Sequence, residues 1–323
     1  MYIHTIRTIL SLRKRTDYPM YSMTYYGDYA FDDLLKIGMA KDEDLMNFIQ
    51  NRFTQKVAFD PNSPRGGCTA FLAQDTNGDF LYGRNYDFPP TPSVVVKTKP
   101  KHGYASVSIV DMMALGYTRE KLPSGLSGKL PLLATPYLPF DGLNEKGLAV
   151  AILQVPETTL PHDSDKITLN TTAALRLMLD KAATVEEAIA LISQYNVYFS
   201  LNVYCHYFIS DKTGKSVILE YWDGKMRVTE EKIASNFYAC SGLALQEEHE
   251  SPNPQRRYEI AEETLVKTNG ILDMTEAAKL LQDLGIYYKE HNILQWSVIY
   301  NLSALKGMAF TGRDMSKPYH FSL

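Results

Sequence analysis

The chain has 323 residues, 45% of them hydrophobic, which suffices for one large domain or two smaller ones with packed cores. A formal charge of −4 gives no reason to expect nucleic acid or an anionic membrane as partner, and no run of about 18 apolar residues indicates a transmembrane helix. Three cysteines (Cys68, Cys205, Cys240) cannot all pair within the chain and fit no zinc spacing, so neither a metal nor a cofactor is expected.

The first residues, Met1-Tyr2-Ile3-His4-Thr5-Ile6-Arg7, carry a cation and some apolar side chains. Arg13-Lys14-Arg15 interrupts them too early for a secretory signal, which points to the cytoplasm. Residues 1–67 read as mostly helical and aromatic-rich. Leu45, Phe48, Ile49 and Phe53 recur at helical spacing behind Asp42-Glu43-Asp44, an acidic start that suits a helix N-terminus. Asp60-Pro61-Asn62-Ser63-Pro64 reads as a linker into Gly66-Gly67.

A hairpin follows: an apolar strand over 69–73, a turn at Asp75-Thr76-Asn77-Gly78-Asp79, and a return through Phe80-Leu81-Tyr82. Asn-Gly between two apolar runs is a strong hairpin signal. Further strands are expected at 93–97, 104–110 and 147–155, then helices over 171–183 and from a capping box at Thr184-Val185-Glu186-Glu187. Strands return at 203–210 and 216–222, separated by turns, and run into Ser235-Asn236. Helices near 257–267 and 275–284 lead to a final hairpin from Trp296. This succession is α+β, with antiparallel sheets and segregated helices. Cys205 and Cys240, in apolar strand-like runs, read as buried structural cysteines.

The chemistry concentrates at Arg65-Gly66-Gly67-Cys68-Thr69. The hairpin carries Arg84 and Asp87, in Gly83-Arg84-Asn85-Tyr86-Asp87, back beside Cys68. A thiol next to a guanidinium is expected to have a lowered pKa, since the cation favours the thiolate. Gly66-Gly67 can take a strained backbone that lets the thiol attack the preceding carbonyl. Asn144, in Leu143-Asn144-Glu145-Lys146-Gly147, reads as a turn residue.

Cys68-Thr69 with the Gly83–Asp87 block, the Asn144-Glu145-Lys146-Gly147-Leu148 segment, Ser235-Asn236-Phe237, Arg256-Arg257-Tyr258 and the strand from Trp296 to Leu302 together resemble the choloylglycine hydrolase family. That family, with its bile salt hydrolases and penicillin V acylases, belongs to the N-terminal-nucleophile hydrolases. The resemblance implies a four-layer αββα sandwich over 68–323, with 1–67 as a leader or pro-segment like those of the related penicillin acyltransferases and acid amidases. It implies Cys68 as a nucleophile exposed by self-cleavage at Gly67–Cys68, with its own α-amine as base. Arg84 would lie against the thiolate, Asp87 would hold the α-ammonium, Asn236 would donate to the oxyanion, and Arg257 would sit in the active site. Gln154 stands where bile salt hydrolases have Asn and penicillin V acylases have Tyr, and its amide can complete an oxyanion hole.

The implied partner is a small N-acyl amide, with a homo-oligomer left open. The implied reaction is hydrolysis through an acyl-thioester. An acyltransferase on the same site, a Cys-His peptidase using His206 or His102, and a non-enzymatic binding protein that keeps its leader are the alternatives.

Overall fold

In this computed structural model, the structure describes residues 2–53, 66–245, 253–288 and 291–323; the expected linker at 60–64 lies outside them. The N-terminal part forms α1 (Tyr2–Leu10), β1 (Arg13–Lys14), β2 (Met20–Thr24), α2 (Phe31–Ile37) and α3 (Asp42–Phe53). The strand β2 was not legible as one. It is buried and pairs in parallel with β5 (Ser93–Thr98), so residues 13–24 extend a sheet where only helix was expected.

The hairpin β3 (Gly67–Gln74) and β4 (Phe80–Asp87) forms as expected, in the register Gly67 opposite Asp87 and Cys68 opposite Tyr86. Next come β6 (Ser106–Asp111), β7 (Asp141–Asn144), β8 (Ala149–Gln154), β9 (Thr168–Asn170), α4 (Thr171–Lys181), α5 (Val185–Ile192) and β10 (Asn196–Tyr198). They are followed by β11 (Cys205–Ser210), β12 (Ser216–Trp222), β13 (Lys225–Glu230) and β14 (Ile233–Ala234). The C-terminal part is α6 (Pro254–Lys267), α7 (Met274–Leu284), β15 (Tyr287–Tyr288), β16 (His291–Asn292), β17 (Leu294–Asn301), β18 (Lys306–Thr311) and β19 (Asp314–Ser322). The expected final hairpin is thus a three-stranded meander.

Among the described residues, two large sheets form: β1-β2-β5-β6-β7-β8-β11-β12-β13 and β14-β3-β4-β17-β18-β19. Strand alternation sorts their side chains into three cores. Ala70, Leu72, Tyr82 and Trp296 of the smaller sheet meet Val107, Ala151, Leu153 and Phe208 of the larger one. On the smaller sheet's outer face, Phe71, Ala73 and Leu81 pack on Ala261, Leu265, Ala277 and Leu281 of α6 and α7. The larger sheet's outer face carries α4 and α5 through Leu175, Leu179 and Ala188, together with Ile9, Tyr29, Leu45 and Ile49 of the N-terminal part. The result is an αββα sandwich.

The capping box expected at α5 forms only in part. Thr184 accepts from Glu187 N as expected, but the Glu187 carboxylate reaches Ala183 N, one residue short of closing the capping box. A complete box stands at α7, between Asp273 and Glu276. Asn144 is the expected turn residue: its Oδ1 accepts from Lys146 N and Leu148 N, and its Nδ2 donates to Leu179 O and Ala182 O. Cys205 is buried as expected, whereas Cys240 is exposed, because its strand-like surroundings form a turn over 238–242.

Candidate active site

Cys68 stands at the start of β3 on the face between the sheets, 5% exposed, at the foot of a cavity with mainly apolar walls that include Tyr86, Phe88, Phe140, Ile152, Leu201 and Cys205. Gly66 leads into it under close packing. A Cβ there would lie 2.3 Å from Asp87 O and 2.3 Å from the Phe88 ring, so glycine is required by contact.

Arg84 shares the inter-sheet face because 84 and 68 have the same strand parity. Its Nη2 donates to Cys68 Sγ at 3.6 Å and to Ile152 O at 3.2 Å, and its Nη1 donates to Asp141 Oδ2 at 2.9 Å. The guanidinium also stacks over Tyr86 and Trp296. Asp141 is its ion-pair partner. Asp141 in turn accepts from Trp296 Nε1 at 3.1 Å and Tyr300 OH at 2.6 Å. Asp87 has the opposite parity and its Oδ1 accepts from Ile286 N, just beyond α7.

The thiol departs from expectation. Burial pushes Cys68 above its ordinary value, and this outweighs the downward pull of Arg84; Asp87 adds to the rise, while Arg257 and a hydrogen bond from the Gln154 backbone oppose it. The intact chain therefore holds a protonated thiol at neutral pH.

The structure brings Asn236, Arg257 and Gln154 to the same place. Asn236 Oδ1 accepts from Cys68 N at 2.7 Å and from Arg257 Nη2, and two donors on one oxygen fix the amide's orientation. Its Nδ2 donates to Gln154 O at 2.6 Å, so in the intact chain the donor expected to face an oxyanion is engaged. Arg257 is fully buried in the first turn of α6 and also donates to Thr69 Oγ1 at 2.9 Å. Gln154 ends β8; its Oε1 accepts from Gly66 N at 3.3 Å. Asp141 was the contributor missed by sequence reading. It lies inside Phe140-Asp141-Gly142, but only the sheet packing brings it to Arg84.

Neither candidate histidine base reaches the thiol. His206 is buried with its Nδ1 3.6 Å from Glu220 Oε2, His102 is exposed, and no histidine among the described residues lines the cavity. Among the described residues no cluster of three His, Cys, Asp or Glu is placed to hold a metal ion, and no helix is long and apolar enough to cross a membrane.

Two sheets between helix layers, with a cysteine at the head of a strand of the smaller sheet, are the fold of the N-terminal-nucleophile hydrolases. The chain belongs to the choloylglycine hydrolase family of linear amide C–N hydrolases, whose model matches residues 68–236, more than half of its length. Over 103 residues it is 33% identical to a penicillin V acylase of Pectobacterium atrosepticum, a stretch covering 28% of this chain and 27% of that relative. Crystal structures of two variants of the conjugated bile acid hydrolase of Clostridium perfringens align with 79% of this chain and 92% of theirs. Their TM-scores are 0.56 and 0.57 at 16% and 15% identity, a likeness of fold.

Proposed function

We propose that this chain hydrolyses the amide bond of a small N-acyl substrate, with Cys68 as nucleophile after the Gly67–Cys68 bond has been broken by the thiol itself. The observation that carries the reading is the convergence on Cys68: Arg84 Nη2 on its sulfur and Asn236 Oδ1 on its nitrogen, at the foot of an apolar cavity. Residues 1–67 are the pro-segment and 68–323 the catalytic domain.

In self-cleavage, Cys68 Sγ adds to the Gly67 carbonyl and the acyl group moves from nitrogen to sulfur. Water then hydrolyses the thioester, leaving a carboxylate on Gly67 and a free amine on Cys68. That amine, with an ordinary pKa near 8, takes the thiol proton that burial holds in place. Asn236 Oδ1 and the Asp87 carboxylate orient it, and Arg84 stabilises the sulfur as charge develops.

In turnover, the thiolate attacks the substrate carbonyl and the ammonium returns its proton to the departing amine. Water, deprotonated by the same amine, then releases the acid. The Gln154 side-chain amide and Asn236 Nδ2 flank the oxyanion. For Asn236 this requires exchanging Gln154 O for the substrate oxygen, so its loss should be felt in kcat, by about 10²–10³ for one donor.

Acid quenching during turnover of an N-acyl substrate, followed by mass mapping, should find the acyl group on Cys68. Acyl release at the wild-type rate by Cys68→Ala would dismiss the reading.

A further inference from the structure

A second cavity, with walls of mixed polarity, lies beside the apolar one and shares one lining residue with it, Gln154. Gln154 is also the residue whose backbone hydrogen-bonds towards the Cys68 thiol and whose carbonyl is held by Asn236. Cys68 lines the apolar cavity and Gln154 is the wall that cavity shares with the second, so the way from the sulfur to the second cavity runs past Gln154.

The partition between them is built under strain. Leu201 faces the apolar cavity and Asn202 the second one, and both are in the left-handed region, with φ of 57° and 56°. A bulky Leu at positive φ is an outlier that persists only where its surroundings hold it, and such residues cluster at functional sites.

The second cavity is lined by Asn202, Tyr204, Pro156 and Glu157, together with Leu243 and Leu245. Among its described walls Glu157 is the one charged residue, with no lysine or arginine. Tyr204 is also held above its ordinary value, by burial first and by the Glu157 charge second, which places that charge at the cavity wall.

Resting on the amide-hydrolase reading above, we infer that the second cavity binds the amine half of the substrate and selects neutral or cationic amines over anionic ones such as amino acids. The apolar cavity takes the acyl half. Glu157 is exposed, so it acts as a screened surface charge and its effect is modest.

The test uses the processed enzyme and three amides of one acyl group, hexanoyl, on ethylenediamine (cationic), ethanolamine (neutral) and glycine (anionic). The wild type should cleave the first two with higher kcat/KM than the third. Glu157→Gln should shift the cation-to-anion ratio by about twofold to fivefold towards the anion, through KM, and added salt should shrink that shift. Glu157→Arg should shift it further the same way. A wild-type preference for the glycine amide, or a ratio unmoved by Glu157→Arg while hydrolysis persists, overturns the inference and leaves the amide-hydrolase reading standing. Failure of the wild type to cleave any N-acyl amide removes that reading and this inference with it.

Discussion

Arg84→Met separates two duties of one side chain. The arginine is fully buried, bonded to an equally buried Asp141 at 2.9 Å, and lies 3.6 Å from the Cys68 sulfur. Methionine fills much of the volume but leaves the Asp141 carboxylate between the sheets with only Trp296 Nε1 and Tyr300 OH as donors. Removing one partner of a buried pair costs about 3–5 kcal/mol. Burial already pushes the Asp141 carboxyl upward, so proton uptake can relieve part of this cost. The expectation is therefore the lower end, about 3 kcal/mol, read as a fall in urea midpoint at unchanged slope. Adding Asp141→Asn removes the stranded charge and should recover most of that stability without recovering turnover. In both variants the pH at which iodoacetamide alkylates Cys68 should rise, because the guanidinium pulls the thiol pKa down. A wild-type urea midpoint in Arg84→Met, or restored turnover in the double variant, would refute the reasoning.

After cleavage, residues 1–67 should remain bound, since β2 is paired in the larger sheet and Tyr21, Tyr29 and Leu45 lie in its core; native mass spectrometry should show both pieces together and denaturing conditions should part them. Tyr29→Phe should cost about 1–3 kcal/mol, because its OH serves both oxygens of Asp180 in the buried Arg176–Asp180 pair. Asn144→Ala, which strands four backbone groups, should destabilise by at least about 2 kcal/mol while leaving kcat within about twofold. Burial holds Tyr29, Tyr82, Tyr86, Tyr137, Tyr207 and Tyr300 well above the ordinary tyrosine value. Raised folded values give a stabilisation that is complete below about pH 10 and lost as pH climbs beyond it. The tyrosinate absorbance of these six should therefore appear only with loss of near-UV dichroism, and their ionisation in a persisting fold would contradict this.

The hairpin of the candidate site was legible because its signals are local: an Asn-Gly turn between two short apolar runs sets the register of Cys68, Arg84 and Asp87. The alternation of side chains along a strand explains a contact that the motif does not announce. Residues 84 and 87 point to opposite faces of one strand, so Arg84 finds its carboxylate on another sheet, at Asp141. The raised thiol pKa escaped sequence reading because Arg84 is visible in a motif and burial is not. The strand β2 was missed because a strand that pairs in parallel with a segment some seventy residues later owes its conformation to that partner. The orientation of the Asn236 amide needed its neighbours, since only Cys68 N and Arg257 reveal which end faces the thiol.

The central claim is that activity depends on a Cys68 freed of the chain before it. Intact mass and N-terminal sequencing of active protein test it most directly. The account predicts a fragment beginning at Cys68 in every active preparation and an uncut, inactive chain in Cys68→Ala. Full turnover by protein in which the Gly67–Cys68 bond is unbroken would contradict it.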